Sequence, residues 1–168
     1  MTGERVLVHA RALLPWAPLP GGVVALVGPT GVLYQGAFGS ADLERRLPMT
    51  PDHAFQIGSI SKIFTALTVA ELAARGVLSL DEPITDLLPW LVLGRGGDQP
   101  TVRELLSHMG GLVMGADFPP DDLAQAWRLR DAVVAPRPRR FHYSNVGFML
   151  VGLGAAARTG RPWPELVR

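Results

Sequence analysis

The 168-residue chain contains no cysteine, which excludes disulfide scaffolds, thiolate metal sites, iron–sulfur clusters and a cysteine nucleophile together. It has no apolar run near the roughly 18 residues of a membrane span. Pro15, Pro18 and Pro20 interrupt the early apolar stretch that could otherwise imitate the core of an export signal. Membrane binding is therefore not expected, and the expected location is cytoplasmic. Charge is sparse at 18% of residues, with 16 basic against 15 acidic side chains. The longest basic cluster is the short run from Arg137 to Arg140, so the electrostatic footprint of a nucleic-acid partner is missing. Lysine is nearly absent as well: Lys62 is the only one among the 16 basic residues. A lysine can give up its proton on burial whereas an arginine effectively cannot, which singles out Lys62.

What is present is a 48% hydrophobic chain of ordinary globular composition. Residues 4–14 read as a short amphipathic helix ended by the segment Pro15–Pro20. Val23–Val27 and Val32–Phe38 flank Gly28-Pro29-Thr30-Gly31 and read as a hairpin of well-buried strands. Gly28–Gly31 is not a phosphate loop, because it lacks the Gly-Lys-Ser/Thr ending and leads into a strand. Residues 39–55 read as a polar connection. From Ser59, the positions Ile60, Ile63, Phe64, Leu67, Ala70 and Ala74 recur at helical spacing until Gly76. Ser79/Glu82 and Thr101/Glu104 have capping-box spacing, predicting helices over Asp81–Leu88 and Val102–His108. Gly94–Pro100 and residues 115–122 are expected loops. Helices are predicted over Asp122–Val134 and Val146–Arg158, separated by a solvated Pro/Arg loop that includes Arg137–Arg140.

Ser59 and Lys62 stand three apart at the start of the strongest helix, hence on one face of its first turn. The positive end of the helix macrodipole disfavours an ammonium there and favours a developing alkoxide. The same turn offers unpaired N–H groups, including that of Ser59, to an oxyanion. A serine nucleophile with a lysine base is the chemistry this spacing permits; an N-cap serine beside a solvated lysine is the alternative. The histidines His9, His53, His108 and His142 have no paired spacing for zinc, and His108 reads as packing or capping the end of its helix. No G-x-S-x-G elbow is present, although residues alone leave a Ser-His-Asp triad open. The four tryptophans read as core or rim residues.

The string Phe55-Gln56-Ile57-Gly58-Ser59-Ile60-Ser61-Lys62-Ile63-Phe64-Thr65 resembles the nucleophile region of the serine β-lactamase and penicillin-binding-protein superfamily. Phe141-His142-Tyr143-Ser144-Asn145-Val146-Gly147-Phe148 resembles the Tyr-x-Asn element of its class C β-lactamase-like branch, which includes esterases and D-alanyl-D-alanine carboxypeptidases. Thr101–Leu112 resembles the segment between these motifs and reads as structural, with Met109-Gly110-Gly111 where relatives have Thr-Ser-Gly. The resemblance implies an α+β, β-lactamase/transpeptidase-like fold, in which a helical region accompanies the N-terminal hairpin of an antiparallel sheet. It implies Ser59, Lys62 and Tyr143 as catalytic residues, with Asn145 orienting Lys62 and the substrate. No metal or organic cofactor is implied.

The implied activity is a serine hydrolase using an acyl-enzyme on a small ester, β-lactam or D-amino-acid peptide. Esters are favoured for want of an export signal. The alternative is a catalytically silent remnant or ligand-binding module of the same family. In relatives the sheet is finished by C-terminal strands, one bearing a Lys-Thr-Gly or His-x-Gly motif that supplies a second oxyanion-hole N–H. No such motif follows the Tyr-x-Asn helix before Arg168. The expectation is thus a single β-lactamase-related domain over 1–168, truncated at its C-terminus. Loss of one oxyanion donor costs on the order of 100- to 1000-fold in rate, and the open sheet edge would be a site of self-association.

Overall fold

A computed structural model describes residues 3–12, 19–93, 98–112 and 134–168. The loop expected over 115–122, residues 94–97 of the loop expected over Gly94–Pro100, Trp16 and Trp127 lie outside the described residues. So does the helix expected over 122–134, except for Val134, which forms an antiparallel bridge with Leu112. The chain divides into two compact units, Met1–Gln56 and Ile57–Arg168.

In the first unit helix α1 (Gly3–Ala12) accompanies strands β1 (Gly21–Gly28), β2 (Gly31–Asp42) and β3 (Leu47–Pro48). The three strands form one antiparallel sheet in that order. Gly28 pairs with Gly31 across the Pro29-Thr30 turn, and a bulge falls between Leu26 and Val27. The hairpin forms where expected, yet it is not well buried: Val27, Val32 and Leu33 near its turn are exposed, and Phe38 at the other end is its buried side chain. Residues 39–55 are not simply a connection. The polarity of residues 43–46 belongs to the tip of a second hairpin, where Asp42 Oδ1 accepts the Arg45 N–H at 2.9 Å before Leu47 pairs back onto Asp42. Gly39 has φ +70°, and a Cβ there would lie 2.2 Å from the Pro20 carbonyl oxygen. The approach lets Ser40 N–H bond that carbonyl at 2.8 Å.

The second unit is helical: α2 (Ser61–Ala74), α3 (Ile84–Leu87), α4 (Val102–Leu106), α5 (Asn145–Thr159) and α6 (Trp163–Leu166). Helix α2 stops as expected at Gly76, whose φ of +71° lets Val77 N–H reach Leu72 O and Gly76 N–H reach Ala73 O, both at 3.0 Å. Its core-facing side differs from the expected stripe. Thr65 and Val69 are buried and Leu72 and Ala73 pack on the core, whereas Ile60, Ile63, Phe64 and Leu67 are exposed. A helix apolar nearly all round has more than one face that can pack, and periodicity alone does not choose between them.

Ser79 and Glu82 form a turn instead of a helix start. Ser79 Oγ accepts the Asp81 N–H and Glu82 takes the Ser79 N–H. Pro83, in extended conformation, then delays α3 to Ile84. The Thr101/Glu104 capping box is present in full, but α4 ends at Leu106 because His108 turns left-handed at φ 59°. Helix α5 gains one residue at each end over expectation, with Ser144 Oγ capping Gly147 N–H at 3.0 Å and Gly160 left-handed at its end. The four residues of α6 are too few for periodicity to reveal. The core joins Val69, Ile84, Leu87, Leu88, Val102, Leu105, Leu150 and Val151.

Arg137–Arg140 is not a solvated loop throughout. The Arg139 side chain is 2% exposed and bonds Glu104 Oε2 at 2.8 Å. Glu104 also receives Arg137 and the Thr101 N–H. Burial alone would raise the Glu104 carboxyl, but the Arg137 and Thr101 hydrogen bonds and the charges of Arg139 and Arg137 overcome it and hold the group below its ordinary value of 4.5.

Two outcomes are expected in urea denaturation. Leu150→Ala, at a fully buried position, should cost about 2–5 kcal/mol. Glu104→Gln should cost on the order of 1–3 kcal/mol at neutral pH. Because the native carboxyl is depressed, its contribution is complete above about 4.5 and lost as pH falls through the lowered native value. The gap between wild type and Glu104→Gln should therefore close in acid; a gap independent of pH would contradict the assignment.

Candidate active site

The chain enters α2 through a 3-10 turn, Gly58–Ile60, in which Ile60 N–H bonds Ile57 O at 3.1 Å. Gly58 takes φ +53° with open space around its Cα, so the backbone conformation, not crowding, calls for glycine. Ser59 lies inside this turn. Neither the turn nor α2 has a side-chain cap, so the N-cap alternative for Ser59 does not hold. Among the described residues the Ser59 N–H has no backbone acceptor. One α-helical turn begins around Lys62, whose ammonium faces back toward Ser59.

The second half of the site comes from the lead-in to α5. Ser144 is extended at φ −135°, ψ 115°, and the helix starts at Asn145. Tyr143 and Asn145 thereby reach the same place from either side of the cap. The Tyr143 hydroxyl lies 2.6 Å from Ser59 Oγ in a hydrogen bond. Lys62 Nζ donates to Asn145 Oδ1 at 2.6 Å and to Ser59 Oγ at 3.3 Å. All four residues expected from sequence are thus brought together. The ammonium also lies 4.9 Å from the centroid of the Tyr143 ring and 5.7 Å from that of Phe148, within cation–π range.

The Lys62 ammonium beside the ring and the Ser59 hydrogen bond lower the Tyr143 phenol below its ordinary 10.0 against the opposing effect of burial. A lowered phenol pKa raises the fraction present as phenolate, the form that can take a proton from serine.

Sequence reasoning missed the part played by His108. Its ring does pack beyond the end of α4, as expected, but against Tyr143, with ring centroids 4.4 Å apart and planes 28° apart. Phe141 and Phe148 close in at 5.5 and 5.0 Å. The available signal was its position inside Thr101–Leu112, a segment read as structural. A cavity of about 530 Å³ opens beside Ser59, Lys62 and Asn145 and runs over Phe148, Leu153 and Trp163. Its polar lining residues are Ser59, Ser61, Lys62, Thr65 and Asn145, and the rest of its lining is largely apolar. Among the described residues no cluster of three histidines or carboxylates could hold a metal, and no helix is long and apolar enough to cross a membrane.

Residues 16–168 match the family model described as Beta-lactamase. The chain is similar to the esterase EstB of Burkholderia gladioli, 42% identical over 95 residues that make up 54% of this chain and 24% of that one. The penicillin-binding protein homologue of Pyrococcus abyssi superposes with a TM-score of 0.82 at 28% identity, covering 99% of this chain and 41% of the other. A class C β-lactamase from Rhodobacter sphaeroides gives a TM-score of 0.73 at 30% identity, covering 96% and 46%. The fold is therefore β-lactamase/transpeptidase-like. The chain spans about a quarter to two fifths of the length of the first curated relatives it matches.

Tyr143 should ionise below the ordinary phenol value of 10.0. Absorbance titration of phenolate in a Tyr34→Phe background, which leaves Tyr143 as the only tyrosine, reads this directly. Lys62→Met should move the midpoint back up, and an unshifted midpoint in the parent would contradict the described contacts.

Proposed function

The chain belongs to the β-lactamase family, and from that premise we propose that it is a serine hydrolase working through an acyl-enzyme on ester or amide carbonyls, β-lactams and D-amino-acid peptides included. Esters stand first, since the 42%-identical stretch is shared with an esterase. The observation that carries the reading is the Ser59 hydroxyl held between the Tyr143 hydroxyl at 2.6 Å and Lys62 Nζ at 3.3 Å. A hydroxyl so placed can give its proton to the Tyr143 oxygen and take one back from it.

In the proposed reaction Tyr143 enters as its phenolate, stabilised by the Lys62 ammonium, and becomes the neutral phenol by taking the Ser59 proton as Ser59 Oγ forms the new bond to the substrate carbonyl carbon. The developing oxyanion is within reach of the Ser59 N–H at the head of the turn. As the bond to the leaving group breaks, the proton returns through Tyr143 to the departing oxygen or nitrogen, leaving an acyl ester on Ser59. Water then adds to that ester, giving its proton along the same path, and the acid product leaves with Ser59 restored. Asn145 Oδ1 fixes the ammonium by its 2.6 Å bond. The cavity beside the serine supplies apolar wall for the acyl group through Phe148, Met149, Leu153 and Trp163.

The test is covalent labelling of the 168-residue chain by a fluorescent penicillin and by an activated ester. Stoichiometric label that disappears in Ser59→Ala is expected. In Tyr143→Phe the labelling rate should fall by roughly 100- to 10,000-fold, the range for loss of a general acid–base group. Folded protein that takes no Ser59-dependent label would overturn the hydrolase reading in favour of a ligand-binding module.

A further inference from the structure

We propose that His108 is a positioning residue for Tyr143, holding the extended segment before α5 through two backbone hydrogen bonds while its ring supports the phenol, so that the hydroxyl is kept on Ser59. Its kinetic consequence rests on the reading of Tyr143 as the proton carrier; the geometry does not.

The two bonds are taken from alternate residues. His108 O accepts the His142 N–H at 2.9 Å, and His108 Nδ1 accepts the Ser144 N–H at 3.0 Å. In extended chain the N–H groups of residues two apart lie along one edge, where a neighbouring strand would ordinarily pair with them. Here one residue supplies both acceptors. Its backbone there is left-handed at φ 59°, a conformation costly for most side chains and retained where the surroundings enforce it. Between the two bonded residues, Tyr143 lies stacked on the imidazole at 4.4 Å. Tyr143 is 42% exposed, and besides its bond to Ser59 and the Lys62 ammonium near its ring the imidazole is its stacking support. Phe141 edge-on and Phe148 tilted against the imidazole fix the imidazole in turn.

The bond to Ser144 also sets the tautomer. Nδ1 accepts, so the ring proton sits on Nε2. Burial and the Lys62 charge both lower the His108 imidazole below its ordinary value, which favours the neutral ring this bond requires. The charged group facing it from α2 is Lys62 and the titratable group on the lead-in to α5 is Tyr143; Phe148 is the facing residue of α5. Protonation at Nδ1 would set two donors against each other at Ser144 and release the segment.

Two substitutions separate the acceptor from the ring. His108→Phe keeps a stacking ring and removes the acceptor. His108→Asn places Oδ1 at the same distance along the side chain as Nδ1 and tolerates left-handed backbone. Each is made in the Tyr34→Phe background and followed by Tyr143 phenolate titration and by the rate of Ser59 labelling. In His108→Phe the Tyr143 midpoint should rise toward 10.0, and labelling should slow by about 10- to 100-fold, the scale of a 1 Å misplacement. His108→Asn should recover most of both. A merely structural role would lower the melting temperature while leaving the midpoint in the folded protein in place, and an unchanged midpoint and labelling rate in folded His108→Phe would overturn the proposal. A raised midpoint with unchanged labelling would support the positioning role and instead sink Tyr143 as proton carrier. Should His108→Phe not fold, ¹⁵N spectra of the unsubstituted chain at neutral pH decide: an unprotonated Nδ1 with a protonated Nε2 supports the arrangement, and the other tautomer or an imidazolium overturns it.

Discussion

The hydrogen bond from Lys62 Nζ to Asn145 Oδ1, 2.6 Å long, joins the first turns of the two longest helices among the described residues of the second unit. Both helices present the positive end of their dipole to the same small volume, where an additional positive charge is unfavourable unless partial negative charge is brought to it. The amide oxygen of Asn145, the hydroxyl of Ser59 and the faces of Tyr143 and Phe148 supply it. Each of these groups is therefore held by the ammonium as much as it holds the ammonium. Two strings more than eighty residues apart meet because one cation needs them both.

The same logic of one charge gathering several partners recurs at Glu104, with the sign reversed. Its carboxylate caps α4 through the Thr101 N–H and draws in Arg137 and the buried Arg139. Arg139 in turn bonds Ala135 O. The chain leading to Tyr143 is thereby tied to the start of α4, while His108 ties it beyond the other end of that helix. A short helix of five residues would be marginal alone; here its two ends serve as moorings for the segment that carries the phenol. An oxygen-rich start and an imidazole just past the finish accomplish this without a β-strand.

Local chemistry was the legible part. Ser59 and Lys62 stood out by spacing as a permitted pair for proton exchange, they and Tyr143 and Asn145 were picked out by resemblance to family motifs, and the Thr101/Glu104 box and Gly76 stop were visible because caps depend on neighbours in sequence. What depended on distant partners was not legible. Arginine at 139 looks solvated until Glu104, 35 residues earlier, is placed beside it. Ile63, Phe64 and Leu67 look like a core stripe because periodicity reports that a helix has an apolar face and not which apolar face is covered. His108 was hidden for a different reason: its contribution comes from a backbone dihedral and a ring nitrogen, neither of which leaves a pattern in residue type.

That the chain has one lysine, placed at the centre of these contacts, gives the site an unusual chemical address. Amine-directed chemistry meets only Lys62 and the chain's amino terminus, so reductive methylation with isotopic formaldehyde would install a single side-chain reporter. The methyl groups would sit between an amide oxygen, a serine hydroxyl and two aromatic rings, where ring currents spread resonances widely. In most proteins of this composition such a label would be one signal among many; here it would be a spectroscopic window opened by an amino-acid preference.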